Sequence, residues 1–150
     1  MSDIRINYKG TRDDVPVSSS TPLPVTQSGS DASAASGGIA STSRIVSAAG
    51  TTNATSAKAS AGRIYAIQGY NAAGATRYLK IYNKASAPTV GSDTPVKTLA
   101  LPAGMAFAFD WPLGYYLGTG IAYALTTGAA DNDTGALTAA DVLGLNIDYV

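Results

Sequence analysis

The 150-residue sequence contains neither cysteine nor histidine. Without cysteine the chain has no disulfide, no thiolate nucleophile and no cysteine-bound zinc. Without histidine it also lacks the imidazole on which catalytic triads and most transition-metal sites depend. Most common hydrolase chemistries are thereby excluded, and we expect a protein that is not an enzyme and that binds no metal or other cofactor.

Charge is scarce as well. Charged residues make up 13% of the chain, and its ten basic and ten acidic residues cancel, whereas soluble domains typically contain about 25% charged residues. A chain without a basic field holds nucleic acid poorly, because phosphate binding depends on clustered positive charge. We therefore expect no nucleic-acid partner.

Long apolar runs are also absent. The densest apolar stretch, residues 99–117, is interrupted by two prolines, two glycines and Asp110, so it falls short of the ~20 apolar residues that span a bilayer. The first residues, MSDIRINYKGTRDD, contain no apolar segment typical of a secretory signal. We expect that the protein does not associate with a membrane and that it is synthesised in the cytoplasm.

Residues 1–43 differ in composition from the remainder. They include the proline-containing segment VPVSSSTPLPV and the segment SGSDASAASGGIASTS, which is nearly all small and polar. Such a composition buries too little apolar surface to offset the entropy of ordering the chain. We predict an extended N-terminal arm that lies across a neighbouring subunit or another protein, with packing back onto its own domain as the alternative. Its apolar anchors are Ile4, Ile6, Tyr8, Val15, Val17, Leu23 and Val25.

Residues 44–150 are predicted to form one β domain. Short apolar or alternating runs recur at even spacing between glycine- and proline-containing turns, a pattern typical of sandwiches and barrels. About eight strands are predicted, at residues 44–48, 51–58, 63–71, 76–84, 96–101, 105–110, 119–126 and 141–149. The fold expected is all-β: a single jelly-roll-like sandwich of antiparallel strands, with an immunoglobulin-like sandwich as the competing topology.

More detailed expectations follow from alternation along individual strands. Residues 63–71 and 76–84 should form a hairpin, with Leu79 and Ile81 in the core and Tyr78, Lys80 and Tyr82 on the opposite face. In the last strand, alternate residues from Leu143 to Tyr149 should be buried. The only short helix expected lies within residues 137–142.

Two polar or aromatic features suggest chemistry. The segment DNDTG, residues 131–135, resembles a calcium loop, but it lacks most of the ligand pattern, and a surface turn is the preferred interpretation. The isolated acids Asp93, Asp110 and Asp148 have no helper residues for glycoside hydrolysis. A surface rich in tyrosine could instead stack on sugar rings, although aromatic residues on strands more often face a core or an interface.

The segment FAFDWPLGYYLGTG, residues 107–120, contains both phenylalanines and the only tryptophan. Phe107 and Phe109 are predicted to be core residues of a strand. Trp111, Tyr115 and Tyr116 are predicted to form a contact loop, because tryptophan and tyrosine dominate the binding energy of many interfaces.

Residues 53–150 resemble small virion proteins of tailed phages. The similarity is carried mainly by RYLKIYNKASAPTVGSDTPV, by the strand at residues 119–130 with its turn TTGAADNDT, and by the terminal GLNIDYV. The resemblance implies a jelly-roll domain that serves as a capsid cement or decoration protein, or as an attachment domain in collar or fibre parts. It implies no catalytic residues.

Taken together, these features predict a phage capsid cement protein on the virion surface. Its expected partners are the major capsid protein and further copies of itself, as a dimer or trimer. Two alternatives remain open at this point. One is a neck, collar or tail-fibre attachment protein, and the other is a carbohydrate-binding adhesion module that recognises a host surface glycan.

Overall fold

A computed structural model describes residues 41–150 of the chain. The anchors predicted between Ile4 and Val25 lie outside these described residues. The described part forms eight β-strands and contains no helix: β1 (Ser41–Ile45), β2 (Thr55–Lys58), β3 (Gly62–Asn71), β4 (Arg77–Asn83), β5 (Lys97–Leu101), β6 (Met105–Leu117), β7 (Ile121–Thr126) and β8 (Val142–Tyr149). The first strand begins ahead of the predicted domain boundary at residue 44.

The strands form two antiparallel four-stranded sheets. Sheet 1 has the order β1-β8-β3-β6 and sheet 2 the order β2-β7-β4-β5. The pairing is nested along the sequence: the first strand pairs with the last, the second with the seventh, and so on. The pairs are β1 with β8, β2 with β7, β3 with β6 and β4 with β5. This nested pairing is the jelly-roll arrangement, so the predicted fold class is confirmed.

The predicted hairpin between residues 63–71 and 76–84 is wrong. Strand β3 pairs with β6 and β8, whereas β4 pairs with β5 and β7, so the two lie in different sheets. The Asn71 side chain shapes the connection: its Nδ2 donates to the carbonyl oxygens of Ala75 and Leu101, and its Oδ1 accepts from the Ala73 N–H. Alternation along the strands predicts the strands themselves but not whether the turn between them changes sheets.

A single core fills the space between the sheets. Leu79 and Ile81 belong to it, as predicted. Its buried members are Ile64, Ile67, Leu79, Ile81, Leu101, Phe107, Leu117, Ile121, Tyr123, Leu125, Leu137, Val142, Leu145 and Ile147.

Two strands depart from simple alternation. Ile64 and Ile67 both reach the core, although they are an odd number of residues apart, because the pairing register shifts between Ile64 and Ala66. Such a bulge reverses the face that the following side chains occupy. In β8, Leu145 and Ile147 are buried as expected, but Leu143 is 37% exposed and Val142 is buried in its place.

Sheet 2 is covered on both faces. Every residue of β7 is buried, as are the consecutive residues 79–82 of β4, a pattern of strands that do not meet water on either side. Tyr82 packs with Ala122 and Ala124 in a second cluster, against Val90 and Ala54. Lys80 and Tyr82 lie on the face opposite Leu79 and Ile81, as predicted, but both are buried there because loops fold over the outside of this sheet.

Lys80 is the central polar residue beneath these loops. Its Nζ donates to the carbonyl oxygens of Ala130, Asp133 and Asp131 at 2.6, 3.0 and 3.3 Å. Burial lowers the pKa of the Lys80 ammonium, while the nearby carboxylates of Asp133 and Asp131 oppose that shift. The carbonyl oxygens of the DNDTG loop thus surround a cation, but that cation is the chain's own lysine.

The DNDTG segment is a turn, as preferred from sequence. Asp133 fixes it, since its Oδ1 accepts from the N–H groups of Gly128 and Gly135, both at 3.0 Å. The short helix expected at residues 137–142 does not form. There, the Asp141 carboxylate accepts from the Thr138 N–H and from Arg77 Nε instead.

Replacing Lys80 tests this interpretation. Lys80→Met keeps most of the length of the side chain but leaves partly buried carbonyl oxygens without their charged donor, which costs roughly 1–3 kcal/mol for each group left unsatisfied. We expect the free energy of unfolding to fall by about 2–3 kcal/mol, measured by urea denaturation. Lys58→Met, at a partly exposed position of β2, is the matched control. Equal stability of the two variants would contradict the proposed role of Lys80.

Candidate interaction surface

Strand β6 lies at the edge of sheet 1 and carries a large bulge. Ile64 pairs with Tyr115 and Ala66 with Asp110, so residues 111–114 of β6 stand opposite Tyr65 alone. We call residues 111–114 the β6 bulge. Pro112 lies within it, and proline is tolerated in sheets at edges and bulges because it cannot donate to the ladder. The bulge interrupts the free edge to which another strand could otherwise pair.

Contacts with β3 hold the β6 bulge in one conformation. Arg63 Nη1 donates to the carbonyl oxygens of Leu113 and Gly114, each at 3.3 Å. Gly114 has a positive φ of 72°, and a Cβ at that position would lie 2.9 Å from Arg63 Cβ and 3.0 Å from Tyr65 Cε1. Only glycine satisfies both the conformation and the close approach.

Aromatic side chains flank the β6 bulge. Trp111 and Tyr115 pack against the core, with their ring centroids 6.0 Å apart. Lys97 of β5, in the other sheet, places its Nζ 4.9 Å from the Tyr115 centroid and 5.8 Å from that of Trp111. Arg63 lies 5.2 Å from the centroid of Tyr116. The two Lys97 cation–π contacts connect the edges of the two sheets, whereas the Arg63 contact lies within sheet 1.

The predicted contact loop is therefore a bulged strand. Of its three predicted residues, Tyr116 is 59% exposed, whereas Trp111 and Tyr115 are partly buried. Sequence reasoning missed Leu113, which is 89% exposed at the bulge. Pro112 before it and Gly114 after it could have indicated that the strand is interrupted at this point. Phe107 is buried and Phe109 packs against the core, in agreement with their predicted positions.

The outer face of sheet 1 is open, unlike that of sheet 2. Small or polar side chains occupy its centre, with Ala66 paired to Asp110 and Asp148, and Gln68 paired to Ala108 and Asn146. At the far end from the bulge, exposed apolar side chains continue across the sheet. These are Val46, Leu143, Tyr70 and Met105.

A shallow depression of about 460 Å³ lies on this face, separated from the β6 bulge by the row that contains Ala66 and Asp110. Gly144 leaves it open, since nothing lies within 4 Å of the place where its Cβ would be, whereas the Phe107 ring fills the space beside Gly69. Most of the other residues around it are small or carry amides. Its lining consists of Gln68, Gly69, Ala106, Phe107, Ala108, Gly144 and Asn146.

Of the acids considered for catalysis, Asp110 and Asp148 both pair with Ala66 and so lie two strands apart in one row of sheet 1, whereas Asp93 lies between β4 and β5. Asp93 forms an ion pair with Lys84, and hydrogen bonds from Lys84 and from the Thr89 N–H lower the pKa of its carboxyl group. Asp148 accepts a hydrogen bond from the Thr42 hydroxyl at 2.6 Å, and Asp110 is exposed on sheet 1. Within residues 41–150, no group of three or more acidic side chains is placed to hold a metal ion.

No model of a known protein family, no curated protein and no solved structure matches this chain. In the described part of the chain there is also no helix long and apolar enough to cross a membrane.

Two glycine substitutions test how firmly the β6 bulge is held. Gly114→Ala introduces a Cβ at a positive φ, which costs roughly 1–2 kcal/mol, and also crowds Arg63 and Tyr65. Gly104→Ala is the matched control, because Gly104 has a φ of 65° with nothing within 4 Å of the added Cβ. We expect a larger loss of unfolding free energy for Gly114→Ala in urea denaturation. Equal losses would show that the contacts with Arg63 and Tyr65 do not constrain the bulge.

Proposed function

We propose that this chain is a structural protein of a tailed-phage virion and that it acts as a capsid cement protein. The observation that carries the proposal is the rigid β6 bulge, which holds an exposed leucine between aromatic side chains. An exposed apolar group kept in a fixed conformation costs free energy in water and is useful when a partner covers it. The resemblance of residues 53–150 to phage virion proteins supports the choice of assembly.

The jelly-roll fold is compatible with this role but does not identify it. Viral capsid and lectin domains both use double-sheet jelly rolls, and a fold alone does not determine function. The surface adds a second argument. Sheet 1 presents small side chains on an open face, with zero net charge on the whole chain, so protein surfaces can approach it closely without strong repulsion.

The mechanism proposed is stabilisation by binding. A protein that binds only the assembled lattice of major capsid protein lowers the free energy of that lattice by its own binding free energy. Many copies around one particle multiply a modest contact, and the predicted arm ahead of β1 provides a second attachment to the same partner. A collar or fibre protein would use similar contacts in far fewer copies.

A glycan-binding function has one observation in its favour. The depression on sheet 1 is bordered by the amides of Gln68 and Asn146, with the exposed ring of Tyr70 nearby. Amides can hydrogen bond to sugar hydroxyls and aromatic rings can stack on sugar faces. We rank this function second because Leu113, the most exposed large apolar side chain of the described residues, offers an aliphatic contact rather than a polar one.

Arm deletion tests the cement function. The eight strands of the described part, residues 41–150, pair among themselves in two sheets, so a chain without residues 1–38 should keep its β-sheet circular-dichroism signal and its cooperative melting. We expect co-sedimentation with capsids assembled without this protein to weaken at least about tenfold, because one of the two attachments is lost.

The full-length chain is the reference, and a glycan array is screened in parallel. Failure of the full chain to bind capsids, together with specific glycan binding, would favour the adhesion module. Loss of the melting transition on deletion would show that the arm belongs to the folded core.

A further inference from the structure

We propose that the loop between β7 and β8 is a preformed binding site for a primary ammonium ion, and that the Lys80 side chain is its built-in occupant. The site consists of the carbonyl oxygens of Ala130, Asp131 and Asp133, and we call it the ammonium site. It persists when the Lys80 side chain is removed and then accepts a free alkylammonium ion. The proposal is independent of the capsid function.

The number of acceptors in the ammonium site matches one primary ammonium group. A lysine ammonium has three N–H donors and no acceptor. Three carbonyl oxygens lie 2.6, 3.0 and 3.3 Å from Lys80 Nζ, so each donor has a partner although Lys80 is fully buried. The nearby carboxylates of Asp133 and Asp131 favour the charged form of the group. A quaternary ammonium ion has no N–H to donate and would leave these oxygens without hydrogen bonds.

The same geometry does not suit calcium. Ca²⁺ takes about 6–8 oxygen ligands at about 2.3–2.6 Å, whereas the three distances to Lys80 Nζ extend from 2.6 to 3.3 Å, a range close to that of N–H···O hydrogen bonds. The DNDTG segment therefore resembles a calcium loop in sequence but is arranged around an ammonium group.

Hydrogen bonds that do not involve the lysine hold the loop. Asp133 Oδ1 accepts from the N–H groups of Gly128 and Gly135. The Thr127 N–H donates to the Gly135 carbonyl oxygen, and the Asp133 N–H donates to that of Ala130. A side chain at Gly128 would collide with the Asp133 carboxylate. Because these contacts are internal to the loop, we expect its carbonyl oxygens to keep their positions without the lysine.

Removal of the lysine stem leaves a space of defined shape. Lys80 pairs with Thr98 of β5 and Ala124 of β7, and its stem lies on the outer face of sheet 2 beneath the loop. Lys80→Ala removes Cγ, Cδ, Cε and Nζ. Propylammonium consists of the same chain of carbons and nitrogen, so it can replace what the substitution takes away.

Chemical rescue tests the ammonium site. Full-length Lys80→Ala is melted in increasing concentrations of propylammonium chloride at neutral pH, where an aliphatic amine is protonated. A ligand that binds only the folded state shifts the folding equilibrium about elevenfold at ten times its dissociation constant. We therefore expect the melting temperature to rise with concentration. Lys58→Ala, at a partly exposed position of β2, is the matched control and should not respond.

Control ligands separate hydrogen bonding from charge and size. Propyltrimethylammonium keeps the charge without N–H donors, 1-propanol keeps the carbon chain without the charge, and calcium chloride supplies the competing cation. Each should stabilise Lys80→Ala less than propylammonium does. The proposal is overturned if propylammonium stabilises Lys80→Ala no more than Lys58→Ala, or if any of the control ligands stabilises Lys80→Ala equally well.

A second variant provides the test if Lys80→Ala does not fold. Because the chain contains no cysteine, Lys80→Cys can be alkylated at that position alone in the unfolded state and then refolded. Bromoethylamine restores an ammonium group at nearly the length of lysine, whereas iodoacetamide adds a neutral amide. We expect melting close to that of the unsubstituted chain only after aminoethylation. Equal recovery with the two reagents would refute the ammonium site.

Discussion

Nested antiparallel pairing is the constraint on which the rest of the structure depends. Because β1 pairs with β8 and β2 with β7, the two ends of the domain lie side by side, and the inner strands pair as β3 with β6 and β4 with β5. This arrangement leaves β6 at one edge of sheet 1. An edge strand has no partner on its outer side, so it can contain a four-residue bulge without breaking a ladder there.

The two sheets then differ in what covers them. Loops cross the outside of sheet 2, where the Lys80 ammonium is held by three carbonyl oxygens of the loop between β7 and β8. That loop covers part of the outer face of sheet 2, as does the segment around Val90 that packs on Tyr82. The open face of sheet 1 and the β6 bulge are the surfaces in the described part of the chain that combine exposed apolar groups with a fixed backbone. We therefore base the proposed contacts on them.

Most of the strands could be predicted from sequence, because alternation of apolar and polar residues is a local property. Leu79, Ile81, Leu145 and Ile147 were placed in the core on that basis and are buried. Three features could not be predicted in this way. The crossing from β3 to β4 and the burial of Lys80 depend on distant segments, and the exposure of Leu113 depends on a register shift against Tyr65. In each case the deciding partner is far away in sequence, so no local pattern reveals it.

The central claim, a capsid cement protein, makes a quantitative demand on stoichiometry, because a cement protein follows the lattice it binds. The most direct measurement is the copy number of this chain relative to the major capsid protein in purified particles, by quantitative mass spectrometry. The account predicts a ratio near one or a simple fraction of one, as expected for a protein that occupies repeated lattice positions. A ratio of a few per cent would indicate a collar or fibre component, and absence of the chain from particles would contradict a virion role altogether.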